Sequence, residues 1–261
     1  MKILLNTVRW DLKRTILSKR FLFAVLGLSL VTIVTMFDEI SSFQRGITSI
    51  AYIRVIIGYL DFYIIYLLFA AIPGTTLFCA DWDNRFIRFS VVRCSKSKYA
   101  ASKVIACFFS AIGVVFMSEW MTIFTLRRWF PFFEPSYEIE YGLYSLFAER
   151  DKIFGYFMVK ILCKAFCAGF LCVFALWLST KIINVFVTLA APLLSYYLIS
   201  IISYAFRIPP VFQIDNLSKG NVNINNDPSL SFLFTILIFT FASIIFGSWF
   251  VRSSNRRIEN G

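Results

Sequence analysis

Between Cys79 and Lys103 the chain reads CADWDNRFIRFSVVRCSKSKYAASK, a stretch that sets Arg85, Arg88, Arg93, Lys96, Lys98 and Lys103 against only Asp81 and Asp83. Charges interleaved with Phe86, Ile87 and Phe89 suit a protein contact, in which apolar side chains fill a groove and charges fix the register. A solvated basic loop that only sets membrane topology is the competing reading. A second set, Asp61, Glu119, Lys160 and Lys164, interrupts long apolar runs. Ionic side chains are rare inside lipid and mark either pairing or function. Lys160 and Lys164 share one helix face. Three uses stay open for these four: pairing between spans, snorkelling of Lys160 to the outer interface, or contact with a substrate or coupled proton.

What is missing narrows the chemistry. The chain has no His, hence neither the commonest metal ligand nor the usual neutral-pH base. It has no G-x-x-x-x-G-K-[ST] loop, no H-E-x-x-H and no G-x-S-x-G, so no catalytic residue, cofactor or metal is expected on it. Cys79, Cys94, Cys107, Cys163, Cys167 and Cys172 are expected as reduced thiols. The last three share a span and read as small buried hydrophobes, not as a metal set.

These residues must be positioned by a membrane bundle. Of 261 residues 59% are hydrophobic and 16% charged, with 31 Phe; soluble domains carry about 25% charged residues. The spacing predicts an interfacial amphipathic helix over 1–20, with Leu5, Val8, Leu12 and Ile16 on one face and Trp10 as an anchor. Six spans follow at about 21–37, 55–80, 104–126, 153–178, 182–206 and 230–251, with kinks expected at Pro73–Gly74 and Pro192. Segments placed inside hold 16 of the 26 Lys and Arg and 4 of the 15 acids. That asymmetry puts both termini in the cytoplasm. The net charge of +11 therefore follows topology, and no nucleic-acid partner is expected. The segment 216–228 reads as too polar for lipid, hence as a flat outer loop. One all-α integral membrane domain spans 1–261, with no soluble domain and no repeat.

The basic amphipathic N-terminal helix, the Asp-x-Asp-x-Arg stretch after span two and the Ser-Lys-x-Lys-Tyr-x-x-x-Lys run into span three resemble type-2 ATP-binding-cassette permeases, over nearly the whole chain. The resemblance implies a coupling helix between spans two and three that docks on a nucleotide-binding subunit, with the N-terminal helix beside it. Carried over by position, its residues are Asp81, Asp83, Arg85, Ser95, Lys98, Tyr99 and Lys103, with Arg88 in the same segment. Asn84 to Phe89 is bulkier than the glycine-threonine step common in that family. The implied assembly is a plasma-membrane exporter of amphipathic or hydrophobic cargo, such as an antimicrobial peptide. Its partners are a second permease chain, homo- or heterodimeric, membrane lipid, and cytoplasmic ATPase subunits that bind ATP and Mg. The rival readings are a gradient-driven transporter using the intramembrane charges, and a non-transporting immunity or assembly protein.

Overall fold

A backbone in lipid must satisfy its own hydrogen bonds, so long apolar runs fold as helices. The computed structural model describes residues 2–35, 37, 49–50, 53, 64–84, 86–87, 94–132, 144 and 153–260. Among them stand α1 (Lys2–Ile16), α2 (Lys19–Thr35), α3 (Tyr66–Gly74), α4 (Leu77–Asp83), α5 (Lys96–Leu126), α6 (Ile153–Ser179), α7 (Val185–Ala205), α8 (Ile214–Lys219) and α9 (Pro228–Asn260). No strand occurs among the described residues.

Four helices, α5, α6, α7 and α9, are long and apolar enough to cross a membrane. The α1–α2 pair makes a fifth candidate if its 50° bend lies within one span. The protein is thus a multi-pass, membrane-embedded helical bundle. Of the six expected spans, the second is described only from residue 64 onward, as α3 and α4 broken at Thr75–Thr76 beyond Pro73. The α1–α2 bend has a local cause: the Ser18 hydroxyl oxygen accepts from the Phe21 N–H at 3.1 Å and starts a new helix.

Helix ends differ from the apolar runs where polar residues continue or cap them. Helix α5 begins at Lys96 rather than 104, so the Ser/Lys/Tyr run forms its first turns. Helix α9 continues through the basic tail to Asn260. Helix α7 starts at Val185, because the Asn184 side chain accepts from the Phe186 and Val187 N–H groups.

Helices α5 and α6 form the axis of the bundle, with α1, α2 and α3 against α5, and α7 and α9 against α6. Small buried residues let the two axial helices approach, among them Ala106, Cys107 and Ala111 on α5 and Ala165, Ala168 and Cys172 on α6. Gly74 brings α3 onto α5 so closely that a Cβ there would stand 2.9 Å from Cys107 Cα. Phe174, Trp177, Phe246 and Trp249 interlock α6 with α9, the nearest ring centroids being 5.0 Å apart. None of the six cysteines is in a disulfide, and only Cys94 is not fully buried.

The segment after α7 departs from the flat loop its composition suggests. Ile214, Leu217, Ser218, Gly220 and Val222 are buried, and α8 packs against α6 and α7. Gly220, at φ 63°, ends α8 in the left-handed region where a Cβ is disfavoured. Ion pairs and hydroxyls described below compensate the polar atoms this folding buries.

Candidate functional site

At the basic end of the bundle, where α1, α4 and α5 converge, four charges close on one another. Asp81 on α4 is fully buried, its Oδ1 2.9 Å from the Arg14 guanidinium of α1 and its Oδ2 2.9 Å from Lys103 Nζ of α5. Lys103 Nζ also lies 2.7 Å from Asp11 Oδ1 of α1. Tyr99 donates to Asp81 Oδ2 at 2.8 Å, and the Ser102 hydroxyl donates to Asp11 Oδ2 at 2.6 Å. Two acids meet two bases, so the cluster is neutral. Buried charges persist only when paired and hydrogen-bonded in this way.

The carried-over coupling residues accordingly separate. Asp81, Tyr99 and Lys103 face inward and are at most 3% exposed, so they cannot form the outward contact assigned to them. They fasten α1 to the roots of the second and third expected spans. Asp83 and Ser95 are exposed and Lys98 is half-buried beside them, which leaves these three available to a partner. Arg85 and Arg88 lie outside the described residues, as do residues 89–93 of the same segment. Phe86 of that segment is exposed, with the Arg14 guanidinium 5.7 Å from its ring.

The basic tail contributes what the sequence reading missed. Arg257 of α9 donates to the Thr180 carbonyl and, at 3.4 Å, to that of Lys181, satisfying acceptors at the end of α6. Its guanidinium stands 5.2 Å from the Trp82 ring of α4. Asn255 donates to Ser97 at 3.0 Å, and Lys96 pairs with Glu259 at 3.3 Å on the surface. The tail is therefore a clasp across α4, α5 and α6.

Deeper in the bundle, Lys164 of α6 meets Glu119 of α5 at 2.6 Å, both side chains about nine-tenths buried. The Tyr66 ring of α3 covers the ammonium at 4.6 Å. This is the interspan pairing considered for these residues. Asp61, the fourth charge of that set, lies outside the described residues. Lys160 does not join the pair; it reaches the segment expected outside. It donates to the carbonyls of Lys219 and Gly220 at 3.0 and 3.2 Å and to Asn221 Oδ1 at 2.8 Å, capping α8. At the other end of α8, Asp215 accepts from Tyr196 at 2.8 Å and from Ser200 at 2.5 Å.

No protein-family model, characterised protein or solved structure matches this chain. The functional reading therefore rests on these clusters.

Among the described residues no group of His, Cys, Asp and Glu is gathered as a metal site requires. What the basic end can do is mechanical: three elements share one charge cluster, so displacement of one is resisted by all. Cys94, just before α5, reports on that cluster. Burial, and next the Asp11 charge, push its thiol above its ordinary value, while Lys103 and Lys98 oppose them. The thiol is thus protonated at neutral pH and reacts slowly. Asp11→Asn removes an upward cause, so the midpoint of the alkylation-rate profile moves to lower pH and the rate at pH 7 rises. An unchanged midpoint in pH-dependent maleimide labelling contradicts this.

Proposed function

We propose that the chain is the permease subunit of an ATP-driven transporter of the type-2 ATP-binding-cassette kind, working with a second permease chain and separate cytoplasmic ATPase subunits. The observation that carries this reading is the cluster of Asp11, Asp81 and Lys103 with the half-exposed Arg14, which binds α1, α4 and α5 into one block. Residues 84–95 join two arms of that block, so a push on this segment is delivered to three elements together. A loop serving topology alone has no use for such bracing. The positive-inside bias of the sequence supports a cytoplasmic position for the block, and the exposed Asp83, Ser95 and neighbouring Lys98 give the ATPase its polar contacts. The cargo is amphipathic or hydrophobic, with a peptide the best match. The Glu119–Lys164 pair serves as a brace between spans in this reading, not as an ion relay.

The test is purification from native membranes in mild detergent, with identification of the bound proteins. An ATPase subunit is expected to co-purify, and Arg85→Glu with Arg88→Glu, or Asp83→Lys with Lys98→Glu, releases it while the permease stays folded. Absence of any ATPase from the unmodified complex, with activity persisting without nucleotide, refutes the proposal.

A further inference from the structure

Two hollows run along α1 and share Trp10 and Lys13 as their common wall. The larger, about 690 Å³, lies between α1 and the start of α5, with Trp10, Leu17, Phe86 and Tyr99 among its walls and Arg14 beside them. The smaller, about 440 Å³, is formed by Asn6, Arg9, Trp10 and Lys13. One compartment is thus mainly apolar and its neighbour cationic. Hollows of about 300–1,000 Å³ are the size that holds small ligands.

Nothing on α1 neutralises the cationic compartment. Asp11 is turned to Lys103 and Ser102, and Asp81 is buried with Arg14, Lys103 and Tyr99. Among the described residues no carboxylate lies within ion-pair distance of Arg9 or Lys13. Lys13 Nζ stands 5.9 Å from the Trp10 ring, at the divide between the hollows. Trp10, midway along α1, and Leu17, at the bend where α1 turns into α2, are 70% and 73% exposed. Apolar exposure beside basic residues on an amphipathic helix belongs at the level of lipid headgroups.

We infer that this pair of hollows is a binding site for one anionic phospholipid. Its phosphate is held by Arg9 and Lys13, and one acyl chain lies in the groove between α1 and α5, beside Phe86. An interfacial helix alone offers lipid a single face; here α5 and residues 86 and 94 supply the opposite wall. An acidic peptide would satisfy the cations but has no aliphatic chain for the groove. The bound lipid borders Arg14, which also holds Asp81, so the lipid is built into the basic end of the bundle. The inference does not depend on an ATPase partner.

The delipidated full chain in mild detergent is offered phosphatidylglycerol, phosphatidylcholine with identical chains, dihexanoyl phosphatidylglycerol, or inorganic phosphate, and retention is read by native mass spectrometry. One long-chain phosphatidylglycerol per chain is expected, retained about thirtyfold more strongly than phosphatidylcholine, corresponding to about 1 kcal/mol for each of two cations. The short-chain lipid is retained less, and phosphate does not displace the long-chain one. Arg9→Gln with Lys13→Gln removes the preference, whereas Arg252→Gln with Arg256→Gln, an equal charge loss on the exposed α9 tail, leaves it intact. Equal retention of the two long-chain lipids, displacement by phosphate or by an acidic peptide, or an unchanged preference in the Arg9/Lys13 variant overturns the inference. A photoactivatable phosphatidylglycerol on the unmodified chain gives an answer independent of variant folding. Label on α1 and residues 94–103 supports the site, and label confined elsewhere overturns it.

Discussion

Lys103→Met is expected to lower the melting temperature of the detergent-solubilised protein by roughly 10 °C and to open α1 to protease. Lys103 Nζ lies between Asp11 and Asp81 at 2.7 and 2.9 Å, so the two carboxylate oxygens sit within about 6 Å of each other. Removing the ammonium leaves like charges at close range, one fully buried and the other largely so. Asp81 keeps Arg14 and Tyr99, but the Arg14 side chain is 48% exposed and its attraction is screened. Asp11 keeps only the Ser102 hydroxyl among its described side-chain partners. Orphaning one member of a buried ionic set costs about 3–5 kcal/mol, and chains of this size lose about 2–4 °C per kcal/mol. The companion variant D11N/D81N/K103M removes the three buried charges together, leaving only the half-exposed Arg14, and recovers much of the loss, because replacing buried charges together costs less than orphaning one of them. Melting of Lys103→Met within about 2 °C of the unmodified protein, or a triple variant worse than the single one, removes the bracing role.

The parts of this architecture legible in the sequence are those written in local pattern. Long apolar runs of Leu, Ile, Val and Phe, interrupted only by Glu119, Lys160 and Lys164, placed α5, α6, α7 and α9 within a few residues, except where Lys96 to Lys103 and Arg252 to Asn260 continue a helix beyond the apolar run. Polarity marks where lipid ends, not where a helix ends. What local pattern could not reveal is partnership across the chain. Asp81 and Lys103 looked like surface charges because their partners, Arg14 and Asp11, lie far away in sequence and on a helix of their own. The same limit applies to residues 214–222. Their Asn, Asp and Lys residues indicated a loop in water, yet Tyr196 and Ser200 receive Asp215, and Lys160 receives the end of α8, so the segment folds in with its polar atoms satisfied. Composition reports the cost of burial, and only the tertiary partners show how it is offset. Glu119 and Lys164 were legible as a candidate pair because opposite charges in adjacent spans have few other ways to be satisfied.

That pair yields the second large effect. Glu119→Leu is expected to cut the folded yield several-fold and to destabilise what folds by about 3–5 kcal/mol, as for a broken buried ion pair. It takes the carboxylate 2.6 Å from Lys164 Nζ out of the interface between α5 and α6, leaving the ammonium in a largely buried position. The Tyr66 face, 4.6 Å away, offers about 2 kcal/mol, less than the lost ion pair. Glu119→Leu with Lys164→Leu removes both charges and fills the space with apolar side chains of similar bulk, so folded yield and melting temperature return close to the original. The exchanged pair Glu119→Lys with Lys164→Glu recovers less, because the Tyr66 ring favours a cation on the α6 side. Under the proposed permease function, a brace also lets the double leucine variant retain nucleotide-driven turnover in the assembled complex. Should it fold and assemble normally yet lose turnover, the carboxylate and ammonium handle a moving ion or cargo, and the bracing role assigned to them is wrong.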